Sequence, residues 1–465
     1  MKQVNASISV FLALTISLVL AFCMALVESA RENAMLLKAD LIFQIGVQSV
    51  MAEYHHELWE KYELFYLDCS YGTETPNYEN IGHRLQKYID ENLRYDGRGW
   101  LSLQYEDGQI SEVRLASDYI GEDLYTKAVE SVKESMGLSF AEQALKWLEQ
   151  VEATSYIEEY LEHENQETYQ VIGEVNGSSI EVKEEVWGFD KKGQPILLEE
   201  AEYETVDIHN PLDRILSGNI LLKKVTDSSQ KISLNKINIK SLPSKRALAA
   251  GSAPKRETET NLLDKALFCN YVLEHLSSFS DYKNETKEGL QYSLEYLIGG
   301  KESDNLNMEI VIGKLMVIRE IDNYLKILQD EIRLAEAEAI GAAAATLVPW
   351  VAPIVTQATL IYWAYEESIN DVQRLLEGES VSLVKAIGLN DVGLAELNYE
   401  QYLYILLLMQ SKDTLILRTM DMIEMDIGRE QYGFRIDACV SFCEIQGVFM
   451  DIYNKKYYVT QKVQY

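Results

Sequence analysis

The 465-residue chain sets 42 Lys and Arg against 74 Asp and Glu, a formal net charge of −32. A surface that acidic repels phosphates, which argues against nucleic acid as a partner. At 47% hydrophobic residues, the chain has enough apolar material for one large or two medium domains.

The N-terminus comes first. Ile8 to Val27 holds neither charge nor proline. About 20 apolar residues in a helix match the ~30 Å core of a bilayer, so 8–27 reads as a transmembrane helix after a short cytoplasmic tail, 1–7. Ser9, Thr15 and Ser17 fit, because their hydroxyls can bond back to helix carbonyls. A cleaved signal peptide is the alternative. It wants a basic n-region and a small-residue cleavage site, whereas only Lys2 precedes this run and no A-x-A closes it. Lys2 ahead of the span and the acidic body behind it place the N-terminus in the cytoplasm and the body outside a cell membrane crossed once.

Helical periodicity continues beyond the span. Apolar residues recur at Ala30, Ala34, Leu37, Leu41 and Ile45, then, past a polar gap at Gln48, at Met51, Tyr54, Leu58, Tyr62 and Phe65. The pattern predicts one rod from Ile8 to Phe65, whose membrane-proximal part fills 28–68. Glu28 and Arg31 stand three apart at the water boundary. They either set register by charge pairing or simply mark that boundary.

Residues 69–239 read as an α+β part. Asn80 to Leu93 is a predicted helix. Trp100 to Tyr105 and Ile110 to Leu115 flank Asp107-Gly108, a hairpin signal. Residues 139–170 open with a capping box, Ser139 to Glu142, and carry eight glutamates; without calcium-loop spacing they read as a solvated helix face. Asn176-Gly177 marks another hairpin, with Tyr169 to Val175 and Ser179 to Trp187 as its arms. Pro195 to Tyr203 adds a strand.

Lys240 to Asn261 holds two prolines, small residues and five basic against two acidic side chains, and reads as a flexible exposed linker that can dock on an acidic surface. From 262 to 465 helices dominate. One spans Asn305 to Leu328, with Ile310, Ile312, Leu315, Ile318, Ile321, Leu325 and Leu328 buried. Ala339 to Tyr365 is uncharged over 27 residues, which is span length, but Pro349 and Pro353 break it and no basic anchor flanks it. A pair of buried helices is the preferred reading. Helices at Tyr399 to Met409 and Thr414 to Ile427 precede an alternating strand from Phe434, and a closing hairpin joins Val448–Tyr453 to Tyr457–Val463. The fold class is therefore α+β: a transmembrane helix continuing into a long amphipathic helix, then a mostly helical ectodomain with antiparallel hairpins.

No chemistry stands out. His56-Glu57 begins like a zincin, but Glu60 takes the place of the second histidine. Gly300-Lys301 lacks the rest of a phosphate loop, and no nucleophile elbow or dinucleotide fingerprint occurs. Cys23, Cys69, Cys269, Cys439 and Cys443 outline no disulfide framework. No cofactor, metal or catalytic residue is expected, and the protein reads as a non-enzyme. A surface ligand-binding receptor and a membrane-anchored hydrolase are the competing readings.

Glu28-Ser29-Ala30-Arg31 directly after an N-terminal span resembles the membrane-proximal segment of TadE/TadG-like minor pseudopilins of tight-adherence (Flp) pili. More closely, the chain resembles uncharacterised bacterial proteins found near such pilus genes. The residues that carry this are Ser7 to Leu12, Ala52-Glu53-Tyr54, Tyr62 to Asp68, Tyr292 to Lys301, Ile318-Arg319-Glu320 and Arg435-Ile436-Asp437. It departs from the prepilin pattern at Ala6 and Phe11, where a processing site wants glycine and glutamate. The resemblance implies a structural or assembly component of a Tad-like pilus or secretion system. Its partners would be other membrane or pilus-assembly proteins, met through Glu28, Arg31, Ala34, Leu37 and Leu41.

Overall fold

The computed structural model describes residues 2–73, 75–94, 99–136, 179–189, 195–207, 222, 225–226, 232–256, 261–281, 288–345, 352–382 and 396–465. The chain divides into two compact units, each assembled from separate stretches. Unit 1 is Met1–Ala128, Leu242–Thr258 and Met420–Tyr465; unit 2 is Val129–Ser241 and Glu259–Thr419. The continuous parts expected at 69–239 and 262–465 are thus interleaved.

In unit 1, helix α1 runs Lys2–Met51, 50 residues or about 75 Å at 1.5 Å each. Ile8–Met51 is the one helix among the described residues long and apolar enough to cross a membrane. The Thr15 and Ser17 hydroxyls donate to the carbonyls of Phe11, Leu12 and Leu14, so their polarity is satisfied within the apolar helix.

The rod does not reach Phe65 or Asp68. It stops at Met51, where the Ala52 and Glu53 N–H groups bond back to Gln48 and Val50. The His55 N–H then donates to the Tyr66 carbonyl at 2.7 Å, and His55 Nδ1 caps helix α2 (His56–Tyr62) by accepting the Leu58 N–H. Turning back lets Leu58, Tyr62, Leu64 and Tyr66 bury in the unit. A straight rod would leave them in water, at roughly 1.5–3 kcal/mol per side chain.

Helix α3 (Glu79–Leu93) lays Ile81, Leu85 and Ile89 against α1. The sheet is built on the C-terminal strand β5 (Cys439–Asp451). Strand β2 (Leu103–Leu115) pairs antiparallel along one edge, Leu103 opposite Asp451 and Leu115 opposite Val440. The short β1 (Leu67–Asp68) and then β6 (Lys456–Gln464) share its other edge. The hairpin expected at Asp107-Gly108 does not form. Those two residues sit inside β2, beside a register shift at Tyr105/Asp107, because the long pairing with β5 satisfies more backbone than a local turn. The closing hairpin does form, with Met450 opposite Lys456 and Asn454 left-handed at φ 60.

Phe43 of α1 packs edge-on against Phe449. Gly447 makes this possible: a Cβ there would lie 2.4 Å from the Phe43 ring. Met35, Ala39, Phe43, Val47 and Val50 form α1's buried face, over a core that includes Cys443, Ile445 and Val459.

Residues 242–256 are not a flexible linker but a strap built into unit 1. Ser244 N–H donates to Asp421, Ala249 N–H to Asp437, and Gly251 N–H to Asp118. Arg246 holds Glu424 at 2.6 Å and Asp437 at 2.7 Å, so this arginine docks on the protein's own carboxylates.

In unit 2, β3 (Ser179–Phe189) pairs with β4 (Pro195–Asp207); Asn176-Gly177 and residues 139–170 lie outside the described residues. Helix α4 (Asp118–Met136) begins in unit 1 and ends in unit 2; the helices that follow it are α5 (Leu262–His275), α6 (Ser293–Gly299), α7 (Asp304–Gln329), α8 (Glu331–Ala345), α9 (Ala352–Leu376) and α10 (Tyr399–Met409). The last, α11 (Lys412–Glu430), begins in unit 2 and from Met420 belongs to unit 1, where it leads into the C-terminal strands. Gly300 ends α6 in a left-handed cap at φ 64, with the Arg418 guanidinium 2.3 Å from where a Cβ would stand.

The buried face of α7 differs from the apolar pattern. Ile312, Leu315, Ile318 and Ile321 are buried, but Leu328 is exposed, and Asn307, Arg319, Asp322 and Asn323 are buried instead. Arg319 is fully enclosed. It pairs with Asp371 at 2.6 Å and Asp322 at 2.8 Å, and donates to the Tyr402 hydroxyl and the Ser382 carbonyl. Of the uncharged run 339–365, the described residues 339–345 and 352–365 fall on α8 and α9. Pro353 occupies the first turn of α9, where a missing N–H is harmless, and Ala337, Leu360 and Ala364 pack with Ile327 of α7.

Candidate interaction surface on the N-terminal helix

The five residues singled out on α1 separate into two groups. Arg31 is only 3% exposed. Its guanidinium pairs with Glu28 at 2.7 Å and with Asp451 of β5 at 3.0 Å. It also lies over the Tyr453 ring at 4.9 Å and the Trp100 ring at 6.0 Å. Arg31 is thus consumed within its own unit, where it ties the helix to the end of the sheet.

The charges reinforce one another. The Glu28 hydrogen bond, then Asp451, raises the Arg31 guanidinium, and Arg31 holds the Glu28 carboxyl below its usual range. Burial pushes the Asp451 carboxyl up, but backbone N–H groups of Lys455 and Tyr453, with Arg31, outweigh it and hold it low.

Ala34, Leu37 and Leu41 form the second group. With Ala30 and Ile45 they stand opposite the buried face at 100° per residue, and all five are exposed. Leu37 is 61% and Leu41 49% exposed, whereas Leu58, which the rod pattern placed on the same stripe, is fully buried. Two large leucines and an isoleucine therefore continue the exposed apolar surface of 8–27 for several turns beyond it.

Asp451, Trp100 and Tyr453 were not legible as neighbours of Arg31, because their proximity depends on β5 meeting α1 across more than 400 positions. The only local signal was the turn after Asp451. His56 pairs with Glu60 at 3.0 Å on an exposed helix face. Among the described residues no group of three or more His, Cys, Asp or Glu could hold a metal ion.

A family model described as a family of unknown function (DUF5702) matches residues 200–451, more than half of the chain, and the protein belongs to that family. The match takes in the strap, α5 to α11 and β5, and leaves out α1. No curated protein and no solved structure matches the chain.

Proposed function

We propose that this protein is a membrane-anchored, extracytoplasmic structural or assembly component of a Tad-like pilus or secretion system. In this reading α1 anchors the chain through 8–27 and presents Ala34, Leu37 and Leu41 to a helix of another envelope protein. The observation that carries it is the bare apolar stripe on a helix whose other face is packed. Apolar side chains in register with a span favour a helical partner that leaves the same bilayer. The resemblance of Glu28 to Arg31 to pseudopilin segments supports the pilus context, and Lys2 with the acidic body supports an outside location.

A photoreactive residue in place of Ala34, in the full-length protein in its native membrane, is expected to capture another membrane or pilus-assembly protein. Leu37→Asp with Leu41→Asp should abolish that capture while shifting stability by no more than about 0.5 kcal/mol, as for exposed positions. Capture of lipid alone, or loss of folding in the double variant, defeats the reading.

A further inference from the structure

We infer that unit 1 rests on the bilayer surface through a second contact, made by the β5–β6 tip and the turn before β2. This rests on 8–27 being inserted in a membrane, and it is separate from the stripe on α1.

The direction of the strands carries the argument. Gly447 lies against Phe43, and four residues later Asp451 lies against Arg31. Strand β5 therefore runs down α1 towards the span, and its tip, residues 452–455, lies beyond Asp451 at the span's exit. Leu103 pairs with Asp451, so the turn before it, closed by Ser102 N–H on the Gly99 carbonyl, reaches the same level. Side chains on a helix lean towards its N-terminus, so the Arg31 guanidinium sits near the height of Glu28, next to the last apolar residue of the span. Both rings stacked near that guanidinium share its height.

The chemistry at that height is amphipathic and aromatic. Trp100 is 50%, Ile452 55% and Tyr453 62% exposed. Trp and Tyr rings concentrate at the headgroup level of membranes, where a ring is half in oil and its polar atom in water. Among the described residues the charges around them are matched: Arg31 with Glu28 and Asp451, Lys455 with Glu32, and Lys456 with Glu106. The contact is therefore apolar and interfacial, and needs no anionic lipid. Its occupant is the headgroup–acyl boundary of a zwitterionic bilayer.

The test uses the full-length protein in phosphatidylcholine vesicles containing nothing else. Trp100 is one of 6 tryptophans, so its emission is read as the difference between wild type and Trp100→Phe. That difference spectrum is expected to be strongly quenched by lipid brominated near the headgroup and weakly by aqueous iodide. Tyr453→Trp, placed in the Trp100→Phe background, should give a second emitter with the same behaviour. Replacing half the phosphatidylcholine by anionic lipid should change neither. Quenching of either emitter by iodide and not by brominated lipid overturns the inference. Cys23, the one exposed cysteine, lies in the span and monitors insertion. If a water-soluble maleimide modifies it in the vesicles, the span reading falls and the inference with it. If Cys23 is protected while Trp100 stays in water, only the inference falls.

Discussion

At Glu295 the Phe279 N–H and the Tyr399 hydroxyl both donate to Oε1 at 2.8 Å, while the buried Oε2 has no partner among the described residues. Burial pushes this carboxyl up to about 7, against the two hydrogen bonds that favour its charged form. In the unfolded chain a glutamate titrates near 4.3. Between those values the folded protein holds a proton that the unfolded chain has released. The group's contribution is therefore full below about pH 4.3 and is lost as pH rises towards 7, on the order of 3 kcal/mol in all. Glu295→Gln keeps the shape and removes the titration. Denaturation of the full chain in detergent, from about pH 5 to about pH 8, should show the variant gaining on wild type as pH rises. Parallel profiles would show that Glu295 is ionised throughout.

At the scale of elements, α1 is held to the sheet by the Phe43–Phe449–Gly447 contact. Phe43→Ala removes a fully buried ring and should cost about 3–5 kcal/mol. Circular dichroism melting of the full-length variant beside Leu37→Asp checks this: the first should fall and the second hold. What could be read from sequence at this scale depended on distance along the chain. The long apolar helix at the N-terminus needed only composition. Helix α10 was legible from its local pattern at Tyr399 to Met409, and in the structure Asn398 and Gln401 close a capping box at its start. The β5–β6 hairpin was legible because its arms adjoin. The buried face of α1 was not, since Met35, Ala39 and Phe43 alternate with Leu37, Leu41 and Ile45, and periodicity cannot tell which of two apolar faces is inside. Strand β2 was misread for the same reason in another form: its true partner is more than 300 positions away, and Asp107-Gly108 offered a local answer. The polar face of α7 was hidden because Arg319 meets Asp371 only after folding.

For the molecule as a whole, the strap 242–256 returns the chain from unit 2 to unit 1. Composition marked it as loose, and its docking sites on Asp118, Asp421, Glu424 and Asp437 come from distant stretches. If it is fixed, trypsin should cut slowly after Arg246 in the native full-length chain. Asp437→Asn takes away one charged partner of Arg246, worth about 1.5–3 kcal/mol, so cleavage there should speed up roughly 10- to 100-fold. Mass spectrometry of early fragments reads this directly. Equal rates in both proteins would return the segment to the status of an exposed loop.

The position of β5 has a consequence in time. A ribosome delivers Leu67–Asp68 and Leu103–Leu115 early, but the strand that both must pair with emerges only from Cys439 onward. At roughly 5–20 residues per second, those backbones wait tens of seconds for their partner. Throughout that interval Met35, Phe43 and Val47 lack the β5 side of the core that covers them. The nascent chain therefore passes through a long sticky stage that calls for a holding chaperone. A premature stop codon anywhere before residue 439 would leave it there for good, marked for degradation by its own uncovered helix.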